Sequence, residues 1–171
     1  KFIKAKGYER YLNQVYGVYS NEAEIDFEKL PSSFVLKPTH GSSMVLFCHD
    51  KSKMNLDRVR KTCKHWLKTD YSKLEHEMNY ADIPHRIVCE KFLQNESGKV
   101  PLDFKIFCFH GQPTYIAVDF DRFGNHTRGI YDTNWNLTRF AWGAPFDPKP
   151  LAIPARLEDM ISFAKDISNE Y

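Results

Sequence analysis

Apolar and polar positions along this chain change in short blocks, most of them closed by proline, glycine or clustered polar residues. Residues 1–19 carry Phe2, Ile3, Tyr8, Tyr11, Leu12, Val15, Tyr16 and Val18 at mixed spacing, which predicts a short helix running into a strand. Residues 20–29 are polar and acidic with Ile25 and Phe27 as anchors; Asn21 or Asp26 suits the cap of a helical turn, and Pro31 ends it. Phe34, Val35 and Leu36 form an apolar run closed by Lys37 and Pro38 and read as a buried strand. His40, Gly41, Ser42 and Ser43 then turn the chain into a returning strand over 44–48. A helix opening at Asn55 or Asp57 places Leu56, Val59, Cys63, Trp66 and Leu67 on one face. Tyr71, Leu74, Met78 and Tyr80 predict a second helix.

Beyond Pro84 the blocks shorten. Residues 87–93 read as a buried strand interrupted by Glu90 and Lys91, and 94–101 as a loop. From 102 to 110 the chain alternates, with Phe104, Ile106 and Cys108 against Asp103, Lys105 and Phe107. Gly111, Gln112 and Pro113 turn it into a strand over 114–120, giving the clearest antiparallel hairpin in the sequence. A polar loop at 122–128 leads to a short strand at 129–132 and a further one at 134–142. A proline-rich connector at 146–154 precedes an amphipathic helix carrying Leu157, Met160, Ile161, Ala164 and Ile167. Strands interleaved with helices, without an internal repeat, predict an α+β fold.

Composition narrows the function classes. The 171 residues are 42% hydrophobic, 27% charged and 15% aromatic, which excludes a disordered or collagen-like chain. Lys and Arg number 24 against 22 Asp and Glu, a net charge of +2, which argues against a general nucleic-acid binder while allowing a local basic pocket. Cys48, Cys63, Cys89 and Cys108 form no CxxC clip and read as reduced, mostly buried thiols of a cytoplasmic protein. No apolar stretch approaches the roughly 20 residues of a membrane span. The seven histidines show no metal-ligand spacing, and neither a nucleophile elbow nor a GxGxxG loop is present.

Four places carry candidate chemistry. Lys37, at a strand end before Gly41, Ser42 and Ser43, suits phosphate binding, since an ammonium, hydroxyls and backbone N–H groups then converge; the same residues also suit a surface lysine beside an ordinary turn. Glu90 follows an apolar run and either accepts from a ligand amine or points outward from an edge strand. Asp103 and Lys105 share one strand face and either pair with each other or hold a ribose hydroxyl and a phosphate. Asp119, Asp121, Arg122, His126, Arg128 and Asp132 concentrate charge at a hairpin mouth, as an anion site or a solvated loop.

Taken in order, these segments resemble a known family. The run from Phe34 through Lys37 to Ser43 looks like the strand–lysine–glycine loop of an ATP-grasp domain, and Ile87 to Leu93 like its adenine-side hinge strand. Asp103 to Gly111, then Asp121 and Arg122 through Tyr131, Asp132 and Trp135, resemble the TupA-like ATP-grasp family of bacterial surface-polysaccharide clusters. The resemblance implies mostly antiparallel sheets with flanking helices: an entry segment at 1–30, a small lobe at 31–86, and a second lobe at 87–171 that stops before the strands bearing the family's magnesium carboxylates. It implies ATP and Mg2+ as cofactors. Lys37 contacts the phosphates, with Gly41, Ser42 and Ser43 as the loop over them. Glu90 takes the adenine amine, and Phe92 and Leu93 line the base pocket. Together, Lys37 and Glu90 grip opposite ends of one nucleotide. Asp103 lies near the ribose, and Lys105 is a second phosphate cation. Arg122 and Arg128 are the catalytic candidates, facing the γ-phosphate or the acceptor carboxylate.

The implied reaction is ATP-dependent carboxylate–amine ligation through an acyl phosphate, joining an amine donor to a glycan or uronic-acid acceptor in the cytoplasm. The alternatives are a glycosyltransferase, or a non-catalytic nucleotide- or glycan-binding module with Trp135, Trp142, Tyr131 and Phe140 stacking on sugar. The glycine loop departs from the pattern, since Ser42, Ser43 and Met44 stand where a second glycine is expected.

Overall fold

The computed structural model describes residues 2–146 and 151–170. Residues 147–150 of the predicted connector lie outside the described residues. The chain divides into two units, Lys1–Leu93 and Gln94–Tyr171.

The first unit opens with α1 (Phe2–Ala5) and β1 (Val15–Tyr19). β2 (Phe34–Pro38) and β3 (Leu46–Cys48) form the predicted hairpin, and β4 (Ile87–Glu90) inserts between β1 and β2. The sheet order is β1-β4-β2-β3, each neighbour antiparallel. β3 starts two residues later than the sequence suggests, after Ser43 takes a left-handed conformation with φ 60°.

One sheet face carries Phe34, Leu36, Cys48, Ile87 and Cys89, all buried, and packs on α2 (Leu56–Lys68). α2 forms as its sequence dictates. The Asn55 side chain accepts from the Arg58 N–H at 2.9 Å, and Val59, Cys63 and Trp66 recur on the buried side. Ile25, Phe27 and Leu30 complete the core from an irregular segment. That segment is held by cations donating to its carbonyls: Arg60 to those of Glu22 and Ile25, and Lys51 to those of Phe27 and Leu30. The predicted second helix is only one turn, α3 (Tyr71–Leu74), because His76 adopts a left-handed φ of 57°. Cys48, Cys63 and Cys89 are free and buried. Burial pushes the Cys63 thiol up to about 11 and the Cys89 thiol up to about 12, so neither is a nucleophile near neutral pH.

The second unit is a three-stranded antiparallel sheet, β5 (Asp103–Phe109), β6 (Gln112–Phe120) and β7 (Thr127–Asp132), with α4 (Leu157–Ser168). The hairpin turn lies at His110 and Gly111, whose φ values of 50° and 73° suit the primed turns that match strand twist. Ile116, Val118, Phe120, Tyr131 and Trp135 are buried with Leu157 of α4. Trp135 stacks on Tyr131 at 4.3 Å and donates its indole N–H to the Leu151 carbonyl. Trp135 and Tyr131 are therefore core residues and do not offer their rings to a sugar. The strand expected at 134–142 does not form. The Asp132 carboxylate accepts from the Asn134 and Asn136 N–H groups, and Trp135 has φ 67°, so the chain turns there. Among the described residues no helix is long and apolar enough to cross a membrane.

Phe34→Ala should lower the stability of the first unit by about 3–5 kcal/mol, whereas Val18→Ala, at a half-exposed edge position, should cost under about 1 kcal/mol. Amide hydrogen exchange of β2 and β4 measures both.

Candidate functional site

Strand pleating sends Phe34, Leu36, Ile87 and Cys89 into the first core and leaves Val35, Lys37, Val88 and Glu90 on the opposite face. In the β2–β4 register Val35 pairs with Glu90 and Lys37 with Val88, which makes Lys37 and Glu90 diagonal neighbours. Their side chains meet, with Nζ 2.7 Å from Oε2. The Lys37 side chain is 45% exposed and that of Glu90 18%. The Asn13 amide lies 3.4 Å from the same Glu90 oxygen. The pair thus forms one polar corner on an otherwise apolar face, instead of two separated grips.

Beyond Glu90, the Lys91 N–H donates to the Gln14 carbonyl and its own carbonyl accepts from the Asn13 amide. Phe92 turns inward at 5% exposure, with its ring 5.5 Å from Phe47 and edge-on to His49 at 4.7 Å. Leu93 is half exposed. On the loop after β2, Gly41 packs so closely that a Cβ would come within 2.2 Å of the Met44 methyl and 3.0 Å of the Tyr71 ring. Ser42 is half-buried and Ser43 exposed.

In the second unit the open face of the sheet carries a second polar cluster. Asp103, Asp119 and Arg128 lie in one row across β5, β6 and β7. Asp119 is buried and receives a bidentate contact from Arg128, Nε at 2.5 Å and Nη2 at 3.1 Å. Lys105 bridges Asp119 and Asp103, 2.5 Å from each, and Arg122 donates to Asp103. His126 Nε2 lies 3.0 Å from Asp119 but outside hydrogen-bonding geometry. Burial pushes the Asp119 carboxyl up, yet hydrogen bonds from Arg128 and Lys105, with His126 close by, outweigh it and hold the group well below the usual carboxylate range.

Arg128 also donates to the Trp142 carbonyl at 3.0 Å and lies over its ring at 5.4 Å. With its side chain 9% exposed, it is sequestered, whereas Lys105 at 36% and Arg122 at 48% reach solvent. Asp121 and Asp132 serve turns, accepting from the N–H groups of Asn125, and of Asn134 and Asn136.

Compared with known protein families, the chain matches TupA-like ATPgrasp over residues 1–171, its whole length. It belongs to the TupA-like ATP-grasp family. No curated protein and no solved structure matches it. An ATP-grasp protein generally uses ATP with magnesium. The half-exposed Lys37 ammonium beside Val35 and Val88 fits an anionic ligand with an apolar part. The second cluster does not fit a divalent cation, because Lys105, Arg122 and Arg128 already neutralise both carboxylates. Among the described residues no three His, Cys, Asp or Glu side chains come together as metal ligands.

The structure gathers Asp103, Lys105, Arg122 and Arg128, and separately Lys37 and Glu90. The sequence reading placed Asp119 in a charged cluster without a role. Its central position depends on a register shift between Phe107 and Cys108. From the Phe109↔Gln112 pair an unbroken ladder would set Asp103 opposite Val118; the shift sets it opposite Asp119.

Asp119→Asn should destabilise the second unit by about 3–5 kcal/mol, since it leaves the buried Arg128 underpaired, and Arg122→Ala by under about 1 kcal/mol. Because the native Asp119 carboxyl is held low, its stabilisation is full above roughly pH 4, the ordinary aspartate value, and is lost as pH falls toward the native value. Denaturant unfolding from pH 7 to pH 2 followed at β6 amides should show this acid limb in the wild type and a diminished one in Asp119→Asn.

Proposed function

We propose that this ATP-grasp chain serves an ATP-dependent carboxylate–amine ligase that builds or modifies a cell-surface polysaccharide. The observation that carries the reading is the Lys37–Glu90 pair on the outward face of the first sheet, with Lys37 on the strand that leads into Gly41, Ser42 and Ser43. Lys37 offers a cation to a phosphate, and Glu90 accepts from the adenine amine. With the Lys91 backbone groups already bonded and the Phe92 ring turned inward, the side-chain contact to the base falls to the half-exposed Leu93.

In the second unit, Lys105 and Arg122 offer half-exposed cations to a phosphate or a carboxylate, and Asp103 orients both. Arg128 acts through Asp119, which it clamps, and so it is a positioning residue in this reading. A carboxylate oxygen of a uronic acid attacks the γ-phosphorus of ATP, and ADP leaves with the electrons of the broken P–O bond. The amine donor then attacks the acyl carbon, phosphate leaves, and the amine releases a proton. Fixed cations that meet the developing charge, together with alignment of the reactants, supply the catalysis.

A glycosyltransferase or glycan-binding module is the second reading. It is supported by the exposed rings of Trp142 and Phe140, the latter edge-on to Tyr115 at 5.2 Å.

Calorimetric titration with MgATP separates the two. The ligase reading expects Lys37→Ala to weaken MgATP binding by about tenfold or more with little loss of stability, because an exposed ion pair contributes only about 0–1 kcal/mol to folding. Glu90→Gln should reduce the preference for ATP over GTP. Equal MgATP binding by Lys37→Ala and wild type, or binding of a uronic-acid oligosaccharide without any binding of MgATP, contradicts the reading.

A further inference from the structure

The loop after β2 is fastened by two histidines that take no part in either polar cluster. His40 is fully buried. Its ring stacks on that of His85, with centroids 3.7 Å apart and planes 5° from parallel. His40 Nε2 lies 2.9 Å from the Trp66 carbonyl oxygen, and His85 Nδ1 lies 2.9 Å from that of Leu67. Both carbonyls belong to the last turn of α2, and that of Trp66 also accepts from the Thr69 N–H at 3.0 Å. A carbonyl only accepts, so each imidazole presents an N–H there. In His40 this puts the proton on Nε2 and leaves Nδ1 as a buried lone pair without a hydrogen-bond partner.

The side-by-side placement is itself built. The Thr39 N–H donates to the Arg86 carbonyl at 2.9 Å, the Arg86 N–H donates to Thr39 Oγ1 at 3.1 Å, and Thr39 Oγ1 donates to the Pro84 carbonyl at 2.6 Å. These bonds tie the end of β2 to the segment entering β4, so His40 and His85 face each other. Gly41 follows directly and packs on Tyr71. The stack therefore clips three things together: the C-terminal turn of α2, the entry to β4, and the loop of Gly41, Ser42 and Ser43.

We propose that His40 and His85 are positioning residues for this loop, holding it as a neutral stacked pair and releasing it when the pair takes up a proton. The role of the loop in nucleotide binding rests on the reading above, whereas the clip does not. A proton added to His40 would go to Nδ1, buried without an acceptor and against a second imidazole. The charged and titratable groups around the stack are few. Asp70, after α2, is the acid whose field favours a charged His40, and it is already bonded to Ser72 and Lys73. Tyr71 packs on Gly41, and Arg86 follows His85 in the chain. Burial, then the neighbouring His85, push His40 below the ordinary histidine value, against the Trp66 hydrogen bond and Asp70. Protons thus favour the released state, so the clip weakens as pH falls below roughly 6.5, the ordinary histidine value.

The test is an NMR titration of the intact chain from pH 8 to pH 5, reading the imidazole C–H signals and amide exchange at residues 41–44, corrected for intrinsic rates. The expected result is a loss of loop protection of about tenfold between pH 7.5 and 5.5, tracking the imidazole titration, while Val59 in α2 keeps its protection. His40→Phe keeps a ring in the stack and removes the buried proton site, so the loop profile should flatten, whereas His85→Phe leaves that site in place and should keep a pH-dependent loop. MgATP affinity should fall with pH in the wild type and less steeply in His40→Phe. Loop protection that does not change with pH in the wild type, or that changes equally in His40→Phe, overturns the proposal. A pH-dependent loop in a protein that binds no MgATP at any pH supports the clip and counts against the nucleotide reading alone.

Discussion

The contact between Lys37 and Glu90 exists because β2 and β4 pair with Val35 opposite Glu90. Shifting that register by one residue would turn Glu90 into the core and both Ile87 and Cys89 out of it, at the loss of the packing that holds α2 to the sheet. The polar corner and the hydrophobic core are thus two faces of one alignment. The pair itself adds little stability at its exposure. What its placement provides is an ammonium and a carboxylate at a fixed point on an apolar surface, an arrangement suited to a ligand that is part aromatic and part anionic.

The second unit uses charge differently. Asp119 is buried, and its low-lying carboxyl is stable there only because Arg128 and Lys105 bind it closely. Arg128 in turn ties the segment around Trp142 to the sheet, and the left-handed Gly143 leaves room for its guanidinium, which a Cβ would approach to 2.5 Å. One buried carboxylate thereby fixes the positions of a sequestered arginine and a half-exposed lysine, and Asp103 carries the arrangement on to Arg122. Cations held in this way need little rearrangement to meet an anion, which is the condition for electrostatic catalysis.

Much of this was legible in the residues, and the gaps have specific causes. α2 was readable because Asn55 and the spacing of Val59, Cys63 and Trp66 agree with one helical face. The hairpin of β5 and β6 was readable from alternation, but its register was not. The extra residue near Thr114 has no compositional signature, and it alone decides that Asp119 and not Val118 faces Asp103. The missing strand after β7 and the shortened helix after α2 follow from local backbone features, an Asp132 side-chain turn and a left-handed His76, that override apolar patterning. His40 and His85 are 45 positions apart in sequence, so only the β2–β4 pairing could bring their rings together.

The central claim is that the outward face of β2 and β4 receives the nucleotide. The most direct measurement is backbone and side-chain chemical-shift mapping of the intact chain with the non-hydrolysable analogue of MgATP. The account predicts perturbations at Val35, Lys37, Val88 and Glu90, extending to Ser42 and Ser43, with Phe34, Leu36 and Cys89 on the buried face much less affected. Saturable binding that leaves Lys37 and Glu90 unshifted would contradict it.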